Sequence, residues 1–202
     1  MEDALKHLSD IDPRMRELIE QYPQPTFLPH KNYYQELASS VISQQLSVKA
    51  AATIEGRFKD LFGGVFPSPE QILQKDIEEL RTVGLSRPKA GYIQDLATKV
   101  IDGTVDFSTI DSFSNQEIVN KLTTVKGIGE WTVHMFLIFC MGRLDVLPRG
   151  DLGIRNGVGK LYGFQSVPTP EEVALIAEKY YWHPYESVAT WYIWQSLNNS
   201  PK

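Results

Sequence analysis

The sequence predicts an all-α fold on three observations: a series of helix-capping signals, apolar residues recurring at helical spacing between them, and a scarcity of strand-like alternation. Asp12-Pro13 reads as an N-cap followed by proline in the first turn. Ser68-Pro-Glu-Gln71, Ser114-Asn-Gln-Glu117 and Thr169-Pro-Glu-Glu172 have the capping-box spacing, and Asp76-Ile-Glu-Glu79 is a close variant. Between the starts lie Leu37 and Val41; Ile54, Phe58, Leu61 and Phe62; Ile93, Leu96, Ala97 and Val100; and Ile118, Leu122 and Val125. Gly63-Gly64, Gly84, Gly103 and Gly163 mark the stops. The pattern amounts to about ten short helices, with no solenoid repeat and no low-complexity tract.

A chain of 202 residues accommodates one compact domain or two small lobes. Apolar residues at 42% and charged residues at 22% are ordinary for a soluble globular protein. No apolar run is long enough for a membrane span, and no membrane partner is expected. The polar, acidic start Met1-Glu-Asp-Ala-Leu-Lys6 does not read as a signal peptide. Cys140 is the single cysteine, which excludes a disulfide framework and a four-cysteine metal or iron–sulfur site. An intracellular location (cytoplasm and nucleoid, or a nucleus) is the expectation. The formal charge of −5 argues mildly against nucleic-acid binding. Its distribution softens the objection, because residues 121–160 carry six lysines and arginines against three acids.

The segment Leu122-Thr-Thr-Val-Lys-Gly-Ile-Gly-Glu-Trp-Thr-Val133 carries the most information. One helix is expected to end near Val125, and a second to run from the Lys126-Gly127-Ile128-Gly129 turn to about Cys140. Two glycines flanking one apolar residue let the backbone turn sharply and leave no Cβ between the turn amides and a ligand. Those amides lie near a helix N-terminus, where an anion such as a DNA phosphate is favoured. Lys126 or Thr132 would add a phosphate contact, and Ile128 would plug the turn. A Gly-x-Gly turn also occurs as a plain corner between two helices, so these residues alone do not decide. After the second helix, Pro148 breaks the chain and Asp151 opens another helix. Taken alone, Asp151 reads as an N-cap.

Together, Ser43-Gln-Gln-Leu-Ser47, Val125-Lys-Gly-Ile-Gly-Glu-Trp-Thr132, Met135-Phe-Leu-Ile-Phe139 and Leu147-Pro-Arg-Gly-Asp-Leu-Gly-Ile-Arg-Asn156 resemble the helix-hairpin-helix (HhH-GPD) superfamily of DNA glycosylases. The likeness is greatest to 3-methyladenine DNA glycosylase II of the AlkA type. It implies two helical lobes with the active site in the cleft between them. One lobe would span residues 33–143. The other would combine 1–32 with 144–202. The AlkA type carries an additional N-terminal mixed sheet domain, and no counterpart of it is expected in this sequence.

The resemblance also implies roles. Asp151 takes the position of the catalytic carboxylate, which stabilises positive charge on the deoxyribose as the N-glycosidic bond breaks. Superfamily members that also cut the backbone use a lysine where this chain has Trp131. No lysine lies between Lys126 and Lys160, so a monofunctional hydrolase without lyase activity is expected. Trp131 would form one wall of the base pocket, where an indole face favours a cationic alkylated purine such as 3-methyladenine or 7-methylguanine. Tyr185 or Trp182 would form a second wall, with Gln44 and His134 also at the pocket. Trp191 and Trp194 read as core. Gln45 or Leu46 would fill the gap left by the flipped base. The turn carbonyls of Thr123, Val125 and Ile128 would hold a structural sodium or potassium ion. No cofactor is required. The expected partner is double-stranded DNA containing damaged bases, bound by a monomer. Two alternatives stay open: a non-catalytic helix-hairpin-helix DNA-binding protein, and a glycosylase for deaminated or oxidised bases.

Overall fold

The computed structural model describes residues 1–198, and among them there are helices and no strands. The α-helices in chain order are α1 (Glu2–Ile11), α2 (Pro13–Gln21), α3 (Tyr33–Ser43), α4 (Val48–Leu61), α5 (Pro69–Leu73), α6 (Ile77–Arg81) and α7 (Arg87–Ile101). They continue with α8 (Asn115–Leu122), α9 (Glu130–Met135), α10 (Leu152–Tyr162), α11 (Pro170–Lys179) and α12 (Glu186–Asn198). All four capping boxes expected from sequence form, at Ser68, Asp76, Ser114 and Thr169. Each satisfies two amides that a helix start leaves without a partner, an effect of about 1 kcal/mol per cap.

The chain divides into two compact units, His30–Phe136 and Met1–Pro29 with Leu137–Lys202. The dividing point lies within Glu130–Cys140. One continuous helix was expected there, but α9 ends at Met135 and passes into a π-helical turn, Phe136–Cys140. Such turns insert an extra residue per turn and often lie at functional sites.

In the unit His30–Phe136, α7 packs against α3, α5 and α6. Leu37, Val41, Ile42, Phe58, Ile72, Leu80, Ile93, Leu96, Ile118 and Leu122 are buried there, as their helical spacing requires.

The other unit is built around α1, α2, α10, α11 and α12, with Leu8, Met15, Ile154, Val158, Trp182, Tyr192 and Ile193 in its core. α10 and α12 approach so closely that a Cβ on Gly157 would fall 2.2 Å from Ile193 Cγ2. Asp12 is fully buried, which requires its carboxylate to be well supplied with donors. It accepts the amides of Arg14 at 3.0 Å and Met15 at 3.4 Å, the indole N–H of Trp182 at 3.0 Å, and the hydroxyl of Tyr162 at 2.5 Å. Burial, reinforced by the Asp12 carboxylate, holds the Tyr162 hydroxyl in its neutral, donating form.

Candidate active site

The hairpin sits in the unit His30–Phe136. α8 ends at Leu122, and the chain turns through Thr123–Gly129 before α9 begins. Gly127 adopts φ +79°, and a Cβ there would lie 2.1 Å from the ring of Tyr92. Glycine is therefore required twice over, by backbone conformation and by the α7 tyrosine beneath it. Gly129 differs: its φ is −95°, and a Cβ would meet open space. Ile128 is buried, in keeping with a plug that holds the turn on the helices. The Lys126 amide donates to Asp95 Oδ2 at 2.8 Å, and Lys99 Nζ donates to the same oxygen at 2.6 Å. Burial alone would raise the Asp95 pKa, but these donors, with the Lys99 and Lys126 charges, outweigh it and hold the carboxyl below its ordinary value. The Lys126 side chain itself is exposed.

Three carbonyls of this turn belong to Thr123, Val125 and Ile128. That of Val125 accepts the Ile128 amide at 3.1 Å and keeps a second lone pair. Backbone carbonyls are neutral oxygen ligands that fit a monovalent ion such as sodium or potassium, and the carboxylates that dominate calcium and magnesium sites are not among these three groups.

Beside the hairpin runs the loop between α3 and α4. Gln44 closes α3, and its side-chain amide donates to the Gly127 carbonyl at 2.8 Å. Gln45 follows with φ +57°, the left-handed conformation that side chains disfavour. Gln45 and Leu46 are both exposed, and Ser47 caps α4 through the Ala50 amide. Lys89, on α7, donates from Nζ to the Ile42 carbonyl at 2.9 Å and the Gln44 carbonyl at 2.6 Å.

A cavity of about 460 Å³ opens between this loop and the start of α9, lined by Ser40, Ser43, Gln44, Gln45, Trp131, Thr132 and Met135. Its size falls within the roughly 300–1,000 Å³ of small-molecule sites. Trp131 is 54% exposed, high for so large an apolar side chain in an ordered helix. Gln44 and Trp131 both line this cavity. Two expectations need correction. Thr132, placed among the phosphate contacts, is only 7% exposed and lines the cavity, because α9 turns that position inward. His134 does not line the cavity; its side chain is 14% exposed and its Nε2 lies 3.7 Å from Glu130 Oε1, one turn back along α9.

Asp151 belongs to the other unit. It is the N-cap of α10, accepting the Ile154 amide on Oδ1 at 2.8 Å. The same oxygen accepts the indole N–H of Trp194 at 3.0 Å. Gly153 makes room for this arrangement, since a Cβ there would lie 3.0 Å from Asp151 Oδ1 and 3.3 Å from Trp194 Nε1. Trp194 stacks on Phe139, with ring centroids 6.1 Å apart and planes at 25°, and Phe139 meets Phe27 edge-on at 6.0 Å. Trp194 is therefore not simply core. It lies 43 positions beyond Asp151, and nothing local in the sequence joins them. Lys89, Tyr92 and Asp95 were likewise missed, because each meets backbone atoms of a distant segment. Of the two candidates for a second aromatic wall, Trp182 is fully buried and committed to Asp12. Tyr185 is half-buried, its ring edge-on to His7 at 5.2 Å.

Residues 38–182 match the family described as HhH-GPD superfamily base excision DNA repair protein. The DNA-3-methyladenine glycosylase 1 of Schizosaccharomyces pombe is 38% identical over 195 residues, 94% of this chain and 85% of that protein. The solved S. pombe 3-methyladenine DNA glycosylase in complex with abasic DNA matches with a TM-score of 0.81 at 37% identity, covering 96% of each chain. A DNA-3-methyladenine glycosidase of Bacillus halodurans matches with a TM-score of 0.82 at 36% identity, covering 96% of this chain and 89% of that one.

Proposed function

The chain belongs to the HhH-GPD superfamily of base excision DNA repair proteins, and from that premise we propose that it is a monofunctional DNA glycosylase. Its substrates are alkylated purines in duplex DNA, 3-methyladenine foremost and 7-methylguanine second. The observation that carries this reading is Trp131, half exposed on the cavity at the position where the lyase members have lysine. An indole offers no amine for a Schiff base, and its electron-rich face attracts a cationic base by roughly 0.5–2 kcal/mol.

The hairpin binds backbone phosphate through turn amides other than those of Lys126 and Ile128, which are bonded within the protein, with Lys126 adding an exposed charge. A monovalent cation, were one held by the carbonyls of Thr123, Val125 and Ile128, would add positive charge for the same phosphate. The target nucleotide leaves the stack, Gln45 or Leu46 takes its place, and the base enters beside Trp131. The C1′–N bond then breaks with its electron pair passing to the base. A base that is cationic while attached departs neutral, so no general acid is required. Positive charge developing on the sugar is stabilised by the Asp151 carboxylate. Water adds to C1′ and gives a proton to Asp151. The products are the free base and an intact abasic strand.

A panel of duplexes, each with one modified base, tests the assignment. Release of 3-methyladenine in preference to uracil, hypoxanthine and 8-oxoguanine is expected, with strand scission only after alkali. Preferential release of a deaminated or oxidised base would reassign the substrate class.

A further inference from the structure

We propose that Lys89 is a positioning residue for the gap-filling loop, holding Gln44–Leu46 in the conformation that inserts into the base stack. This deepens the reading above and rests on it.

Three residues on one face of α7 support the two loops expected at the DNA. Lys89 donates to the carbonyls of Ile42 and Gln44. Tyr92 lies under Gly127, and Asp95 accepts the Lys126 amide. Lys89 therefore supplies donors to the last carbonyls of α3, groups that a helix end leaves without partners. The bonds are charge-assisted, and the partly buried ammonium has its pKa lowered by desolvation. Water thus competes less for its protons. The second bond fixes the peptide that immediately precedes Gln45, whose left-handed backbone does not hold itself in place. The Gln44 side chain meanwhile reaches the Gly127 carbonyl, so fixing this residue also sets the spacing of loop and hairpin. Arginine preserves both charge and donors at this position, glutamine keeps a shorter neutral donor, and methionine keeps only the volume.

The test uses the full chain and its Lys89→Met, Lys89→Gln and Lys89→Arg variants, with two probe duplexes. One is undamaged, and the other carries a tetrahydrofuran abasic analogue next to 2-aminopurine, whose fluorescence reports unstacking. The proposal predicts that Lys89→Met binds the undamaged duplex within twofold of wild type. It should lose tenfold or more of the preference for the abasic duplex, together with the fluorescence rise. Lys89→Arg should recover most of both, and Lys89→Gln should fall between. The proposal is overturned if Lys89→Met and Lys89→Gln keep the preference and the fluorescence rise. It is equally overturned if all three variants lose melting temperature and undamaged-duplex affinity in parallel, since that marks a purely structural lysine. These readouts need no base release. A wild type that releases no base yet shows the Lys89-dependent unstacking would remove the glycosylase assignment and leave this one standing.

Discussion

The indole N–H of Trp194 donates to Asp151 Oδ1 at 3.0 Å, the same oxygen that caps α10 through the Ile154 amide. Two donors on one oxygen fix the rotation of the carboxylate. Cap and proposed catalytic group are thus one side chain, held by a helix amide and an indole together.

Replacing Trp194 by Phe keeps an aromatic ring to stack on Phe139 and removes the donor. A hydrogen bond to a charged group is worth about 1.5–3 kcal/mol. The single-turnover rate of base release is expected to fall by roughly tenfold or more, with the Kd for duplex DNA unchanged. A matching rise in Kd and no change in rate would show that Trp194 does not act through Asp151.

Gly153→Ala separates activity from stability. Alanine in a helix is favoured over glycine by about 1 kcal/mol. Here its methyl would press on Asp151 Oδ1 at 3.0 Å and Trp194 Nε1 at 3.3 Å. The expected result is an unchanged or slightly raised melting temperature beside a several-fold slower reaction. Calorimetry and single-turnover kinetics on the same preparation decide it.

The two hairpin glycines should respond differently to alanine. At Gly127 the substitution meets both a positive φ and the Tyr92 ring, so destabilisation of about 2 kcal/mol or more is expected. For a chain of this size that lowers the melting temperature by roughly 4–8 °C. At Gly129 the Cβ meets open space, so stability should hold while affinity for undamaged duplex drops. Thermal denaturation and fluorescence anisotropy measure the two effects.

Asp95 predicts a pH dependence. Its folded pKa lies below the unfolded value of about 3.9, so its contribution is fully present above that value and is lost as pH falls through the lowered folded pKa. Asp95→Asn lacks this contribution. Denaturant titrations should show wild type more stable than Asp95→Asn at pH 6, with the gap narrowing as pH falls from about 4 toward 2. A gap independent of pH would show that the charge on Asp95 does not anchor the hairpin.

What could be read from the sequence was local. Ser68 and Gln71, or Ser114 and Glu117, lie three residues apart, so both halves of each capping box are visible together. The Gly127-Ile128-Gly129 turn and the N-cap position of Asp151 are short-range signals of the same kind. Groups whose partners are distant were not readable. Lys89 bonds carbonyls 45 and 47 positions earlier, and a backbone carbonyl leaves no mark in a sequence. Tyr185 was the first candidate and Trp182 its competitor, and only the structure shows the Trp182 indole bonded to a buried carboxylate. Thr132 and His134 lie elsewhere than expected because burial on a helix as short as α9 is set by the segments packed against it, which the local sequence does not show.

The central claim is that Asp151 performs chemistry and is not only the cap of α10. Asparagine keeps a side-chain oxygen for the Ile154 amide and the Trp194 indole while removing the charge. The most direct test measures single-turnover release of 3-methyladenine from methylated duplex DNA by wild type and Asp151→Asn, with the Kd for an abasic duplex measured alongside. The prediction is release by wild type, a loss of at least a hundredfold in the variant, and abasic-duplex affinity within a few-fold. Equal rates in the two proteins, or no release by either with DNA binding intact, would contradict it and leave a DNA-binding protein in which Asp151 is a cap.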